Sequence, residues 1–259
     1  MKTKKTIEFI VNWLDDYLSK ANINGFVIGI SGGIDSAVTS TLCALTNRKV
    51  LLVNLPIKQN NDEYKRASKH ITHLTNNYLN TSSIEIQLDN SFESFKISLP
   101  KEVQENNLSM ANSRARLRMM SLYAIAQNEN CLVVGTGNKI EDFGIGFYTK
   151  YGDGGVDISP IADLLKSEVF EIAKELNVIE EIQLAKPTDG LWGDERTDED
   201  QIGASYDELE WAMSYKNNKQ DKLNKREETV LDIYKNLNKI NQHKMLPIPV
   251  CIIPENLRK

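Results

Sequence analysis

The chain has 259 residues, 41% of them hydrophobic, and a formal net charge of −5, which is enough apolar material for one sizeable core and too little positive charge for a broad nucleic-acid surface that must displace counterions from phosphates. No apolar run approaches the roughly 20 residues needed to span a bilayer. Cys43, Cys131 and Cys251 lie far apart in apolar segments, so buried free thiols are expected rather than a disulfide or a zinc site; the reading is a cytoplasmic protein that binds neither nucleic acid nor membrane.

Residues 1–20 form an amphipathic helix rather than a signal peptide, with Ile7, Ile10, Val11, Leu14, Tyr17 and Leu18 on one stripe and Asp15 and Asp16 opposite. A buried strand is predicted at 26–30 and a helix at 35–46, then a strand at 50–57 and a helix at 62–76 on which His70 and His73 are read as surface residues. A weaker strand at 84–88, a long helix at 108–127 and a strand at 131–134 follow. Strands alternating with helices imply right-handed crossovers, hence a doubly wound parallel α/β sheet. The glycine-rich stretch 135–160 and the acidic stretch 187–201, which carries Trp192, read as functional loops. Helices are expected at 166–176, 198–215 and 222–243, and the tail LPIPVCIIP as extended chain. One domain is expected, with a sheet core over about 1–176 and a mobile loop and helical C-terminal extension over about 177–259.

The first strand runs directly into SGGIDS, residues 31–36. In an open parallel sheet the turn after such a strand feeds a helix N-terminus that attracts anions, and glycines let backbone N–H groups approach one oxygen cluster. Ser31, Gly32, Gly33 and Ser36 suit that role, in a loop that also includes Gly29, Ile30 and Ile34. The loop has neither the lysine of a Walker loop nor the G-x-G-x-x-G spacing. It carries Asp35 instead, and two like charges about 4 Å apart repel by roughly 4 kcal/mol at an effective dielectric near 20. A bridging Mg²⁺ removes that conflict; a plain helix N-cap is the alternative role for Asp35. The string as a whole resembles the pyrophosphatase loop of the N-type ATP pyrophosphatases, which cleave ATP between its α and β phosphates.

Further segments narrow the resemblance: NSRARLRM (112–119), GTGNKIE (135–141), FYTKYGDGGVDISPIADLLKSEV (147–169), and PTDGLW followed by TDEDQIG. With the first loop they resemble the ammonia-dependent NAD synthetases over most of residues 5–245. In NSRARLRM, Arg114 and Arg118 share a face at i,i+4 and read as a solvated basic face, while Arg116 points elsewhere and flanks the small apolar stripe. Lys166 opens a helix, where its charge opposes the dipole.

The resemblance implies ATP contacts from the loop 29–36 (Gly29 to Ser36), Thr136, Lys166 and Thr188, catalytic roles for Asp35 and Lys166, and Mg²⁺ on Asp35 and Glu141. The stretch EDFGIGFYTK is one residue longer than the usual pattern, which keeps Asp142 open as the alternative to Glu141. It also implies that Arg116, Lys150, Asp157, His243 and Lys244 contact deamido-NAD, that the protein is a homodimer, and that deamido-NAD is amidated through an acyl-adenylate with release of AMP and pyrophosphate. None of the cysteines has the setting of a glutamine-hydrolysing nucleophile, so free ammonia is the expected nitrogen source. The loops 138–157 and 187–201 are expected to act as lids. Two other readings share the first loop: a tRNA-modifying relative, which should show a basic surface or reactive cysteines, and a nucleotide-binding module without chemistry, which would not need Asp35, Glu141 and Lys166.

Overall fold

The computed structural model describes residues 1–188, 197–216 and 222–258. Helix α1 (Thr3–Ala21) buries Ile7, Ile10, Leu14 and Leu18 of the predicted stripe, while Val11 is only partly buried and Tyr17, expected inside, is exposed at the stripe's edge; the helix ends at Asn22 in the left-handed conformation with φ 55°. Then come β1 (Gly25–Gly29), α2 (Ile34–Leu45), β2 (Lys49–Asn54), α3 (Asn61–Asn77), β3 (Thr81–Glu85), α4 (Asp89–Ile97), the short α5 (Lys101–Gln104), α6 (Asn107–Glu129) and β4 (Cys131–Val133). The four strands are parallel in the order β3-β2-β1-β4. After a π-helical turn at Ile140–Ile145 come α7 (Lys166–Glu175), the short α8 (Glu180–Gln183), α9 (Asp198–Ile202), α10 (Tyr206–Ser214) and α11 (Lys225–Met245).

Alternation along β1 explains the layering, because successive strand side chains point to opposite faces. Phe26 and Ile28 enter the core shared with α1, α2, α3 and α7, whereas Val27 packs with Phe92 of α4 and Met119 and Leu122 of α6. A third apolar cluster joins Ile140 and Ile145 of the π turn to Leu209, Val230 and Leu231. The C-terminal helices therefore dock on the loop that follows β4, at the carboxyl end of the sheet. Among the described residues no helix is long and apolar enough to cross a membrane.

Several expectations are corrected. The third strand lies at Thr81–Glu85 rather than 84–88, because β3 is an edge strand with mostly exposed side chains and sends no apolar signal. Helix α4 was not expected; it buries Phe92 alone. The helix predicted at 198–215 is two, broken at Gly203, whose φ of 84° suits glycine. Cys43 and Cys131 are buried and free, but Cys251 is exposed on a tail that keeps its apolar side chains in solvent. Trp192 and most of the acidic loop lie outside the described residues.

His70 is fully buried rather than superficial. It is the middle member of the stripe Ala67, His70, Leu74 by which α3 packs, and its Nε2 lies 2.9 Å from Ser40 Oγ on α2. Burial, with the nearby His73, lowers its pKa to about 4 from 6.5. The fold thus holds His70 neutral while the unfolded chain protonates it, so its contribution is fully present above pH 6.5 and is lost as pH falls toward 4. The full loss corresponds to about 3 kcal/mol. Replacing it by leucine should flatten the decline of unfolding free energy across this window, read from urea melts at half-unit pH steps; an unchanged slope would show that the decline comes from other groups.

Candidate active site

Beyond β1 the chain turns tightly through the glycine loop. Gly32 has φ 86°, and a Cβ there would lie 2.4 Å from the Glu63 carbonyl oxygen, so both conformation and space demand glycine. The turn is tied internally: Gly33 N donates to Ser31 Oγ at 3.1 Å and Ser36 Oγ to the Gly33 carbonyl at 3.0 Å. Outside it, Gln59 Nε2 donates to the Ser31 carbonyl at 3.1 Å and Arg66 Nε to that of Gly32 at 3.2 Å. Apart from the Gly33 N–H at the N-cap, these bonds occupy carbonyls, and no side chain caps α2, so its first turn keeps the donors that make a helix N-terminus an anion site. The N-cap is Gly33 and Asp35 lies inside the first turn, which removes the plain N-cap alternative. The whole stretch 29–36 lines a cleft of about 620 Å³, together with Thr136, Glu141, Asp142, Lys166 and Thr188.

At the floor of that cleft Lys166, 3% exposed, sends its ammonium between two carboxylates. Nζ donates to Asp35 Oδ2 at 2.6 Å and to Glu141 Oε1 at 3.1 Å, and it stands 4.7 Å from the centroid of the Tyr206 ring. Asn138 organises the partners: its Nδ2 donates to Asp35 Oδ1 at 3.2 Å, and its Oδ1 accepts from the N–H groups of Ile140 and Glu141. Burial alone would lower the lysine pKa, yet Asp35 and Glu141 raise it above its ordinary value. Two carboxylates against one ammonium leave a net negative charge in a desolvated place. Asp142 has a pKa raised to about 7, by burial first and then by the charges of Glu141, Asp153 and Asp35.

It is Glu141, not Asp142, whose oxygen shares the ammonium with Asp35; Asp142 turns toward Gly137, where a Cβ would collide with its carboxylate. The shared ammonium holds the two carboxylates side by side, and hard oxygen donors so paired suit Mg²⁺, which takes one or two carboxylates and completes its shell with phosphate oxygens and water. Among the described residues no group of three or more His, Cys, Asp and Glu side chains offers a fuller protein cage.

Other sequence-predicted residues divide between this cleft and the surface beside it. Lys244 lines the cleft and donates to the carbonyls of Gly146 and Tyr148 at 2.8 and 2.9 Å. Arg116 is exposed; its Nε donates to the Lys150 carbonyl at 3.2 Å, and Lys150 Nζ donates to the His243 carbonyl at 2.5 Å. These three form a chain of contacts outside the cleft lining. Asp157 accepts from Tyr123 Oη at 2.9 Å and from Val133 N at 2.8 Å, which pins the returning strand segment to β4.

Arg118 is not part of a solvated face. Its Nε donates to the Leu55 carbonyl at 2.9 Å, it lines the cleft, and burial followed by repulsion from Arg114 lowers its pKa to about 10. Sequence reasoning also passed over Asn138, which stands inside GTGNKIE, and Tyr206, whose hydroxyl donates to Glu141 Oε1 at 2.6 Å.

A parallel α/β sheet with a glycine turn and a carboxylate pair at its carboxyl end defines a nucleotide-binding fold of the doubly wound class. The family model described as NAD synthase matches residues 6–247, and the chain belongs to that family. It is 37% identical to an NH(3)-dependent NAD(+) synthetase of Mesoplasma florum over 247 residues, 94% of this chain and 95% of that protein. Among solved structures it resembles an NMN synthetase from Francisella tularensis, with TM-score 0.84 and 32% identity, covering 98% of this chain and 99% of that one. It also resembles an NH3-dependent NAD synthetase from Campylobacter jejuni, with TM-score 0.78 and 25% identity, covering 97% and 100%.

Removing the buried ammonium leaves two partly buried carboxylates facing each other, so Lys166→Met should cost about 3 kcal/mol of unfolding free energy, the low end for breaking a buried pair. Adding Asp35→Asn to that variant should restore a sizeable part. Urea unfolding at neutral pH measures both, and additive losses would show that the pair is not coupled.

Proposed function

We propose that the chain is an ammonia-dependent NAD synthetase that amidates the nicotinate carboxylate of deamido-NAD and consumes ATP to AMP and pyrophosphate, the last step of NAD biosynthesis. The observation that carries this reading is the convergence of the glycine turn, the Asp35–Glu141 pair and Lys166 on one cleft, in a chain that matches such synthetases along nearly its whole length.

A carboxylate mixed with ammonia only forms a salt, so its oxygen must first be made a leaving group. Attack of that oxygen on the α-phosphorus breaks the α–β bond, releasing pyrophosphate and leaving an acyl-adenylate. Ammonia then adds to the acyl carbon, a proton and AMP depart, and the amide remains. In this reading Ser31, Gly32, Gly33 and the start of α2 hold the departing pyrophosphate, with Gly29, Ile30, Ile34 and Ser36 completing the loop and Thr136 and Thr188 as further ATP contacts. Lys166 supplies positive charge to the same leaving group, a preorganised electrostatic contribution that costs no rearrangement of solvent. When bound to Asp35 and Glu141, Mg²⁺ would neutralise the phosphate oxygens that otherwise oppose the incoming carboxylate. Arg116, Lys150, Asp157, His243 and Lys244 are assigned to deamido-NAD. Their partial location outside the cleft agrees with a dinucleotide that spans a homodimer interface. The reading is of a cytoplasmic enzyme forming one domain.

The likeness to an NMN synthetase favours a second reading, in which the acceptor is the nicotinate mononucleotide. Purified protein given Mg-ATP and ammonium should convert deamido-NAD to NAD and the mononucleotide acid to nicotinamide mononucleotide, each with AMP and pyrophosphate in equal amounts to the amide, and with higher kcat/KM for the dinucleotide. Asp35→Ala should lower kcat by about 100-fold or more. A preference for the mononucleotide would install the second reading, and no amide from either acceptor would remove both.

A further inference from the structure

Glu141 sits in the first turn of the π-helical segment Ile140–Ile145, a one-turn element with little regular structure of its own to hold a side chain still. Its carboxylate is nevertheless held through one oxygen. Oε1 accepts from Lys166 Nζ at 3.1 Å and from Tyr206 Oη at 2.6 Å. These are the hydrogen bonds of that carboxylate among the described residues, which leaves Oε2 available to a cation.

Tyr206 is well placed to be firm. It is 5% exposed and packs in the apolar cluster that contains Ile140, Ile145 and Leu209. Its backbone N–H donates to Glu199 Oε1 at 2.9 Å, and α10 behind it opens with a Ser205–Glu208 capping box. Arg226 of α11 holds that glutamate by two contacts of 2.6 Å. The hydroxyl reaches Glu141 at 2.6 Å and Asp198 Oδ2 only at 3.3 Å, so its proton is committed to Glu141. The ring meanwhile lies 4.7 Å from the Lys166 ammonium, within reach of a cation–π attraction.

We propose that Tyr206 is a positioning residue for the reaction: it fixes Glu141 through Oε1 so that the other oxygen serves the metal, and links that ligand to the C-terminal helices. The inference rests on the ATP-dependent reading above and deepens it. Outer partners that orient a metal ligand typically change metal affinity by about 10–100-fold when lost. The effect belongs to the metal, not to the nucleotide.

The test is Tyr206→Phe, which keeps the ring and removes the hydroxyl. Mn²⁺ binding is read from the electron paramagnetic resonance of free Mn²⁺, in the presence of an ATP analogue with a methylene bridge between its α and β phosphates. Expected is an Mn²⁺ Kd raised about 10–100-fold, unchanged affinity for the analogue without divalent metal, and a raised KM for Mg²⁺ with kcat at saturating Mg²⁺ nearly kept. In a Glu141→Gln background the same substitution should add nothing. An unchanged Mn²⁺ Kd would overturn the proposal, and so would equal losses of metal and metal-free nucleotide affinity, the mark of a merely structural tyrosine. Should the phenylalanine variant not fold, 3-fluorotyrosine at 206 keeps the packing and alters the donor; a shift in Mn²⁺ Kd alone supports the proposal, and no shift overturns it. Wild-type protein that holds no Mn²⁺ with the analogue would remove the metal reading itself, and this inference with it.

Discussion

The ammonium of Lys166 between Asp35 and Glu141 is the interaction on which the arrangement of the cleft depends. It draws the start of α2, the π turn after β4 and the start of α7 to one point. Taking three charges out of water is costly, and the cost is tolerable only because each charge is paired and hydrogen-bonded. A lysine in the first turn of a helix also opposes the dipole, so neither helix stability nor packing explains its presence there. What it supplies is electrostatic: a buried positive charge beside the glycine turn, paired with two carboxylates that leave a negative excess.

Much of the fold was legible because its signals are local. The short apolar runs of β1 and β2, the 3.6-residue stripe of α1 and the glycine turn are each written within a few residues. β3 was misplaced because an edge strand need not be apolar, and His70 was misread because a polar helix can pack through a stripe with histidine at its centre. The same division runs through the site. Asp35, Glu141 and Lys166 each lie in a short motif, whereas Arg118 is inside only because α6 lays that face against the carboxyl ends of the strands. Tyr206 carries no local sign, since its partner Glu141 stands 65 residues earlier in the chain.

The π turn at Ile140–Ile145 shows how the two halves of the molecule communicate. Its apolar side chains Ile140 and Ile145 belong to the core built by α10 and α11, while its acidic side chain reaches back to the sheet end. Asn238 and Asn241 of α11 bind the carbonyls of Gly144 and Ile145 at 2.7 and 2.8 Å, which satisfies groups that a one-turn helix leaves open. A loop that would be loose by itself is thus bounded on both sides, and the helical extension becomes part of the cleft wall.

The long sequence separations within the cluster also set an order in time. Contacts among β1, β2 and β3 need only the first third of the chain, whereas Asp35 meets its ammonium 131 residues later, and Glu141 meets Tyr206 later still. Closing such long loops is slower than forming local pairs, and a chain grows from its N-terminus. A nascent copy therefore owns the glycine turn and a lone acid, with neither the ammonium nor the second carboxylate beside it. On the proposed reading that acid repels a polyphosphate, so an unfinished copy is a poor trap for nucleotide until the π turn and the start of α7 bring the groups that offset it.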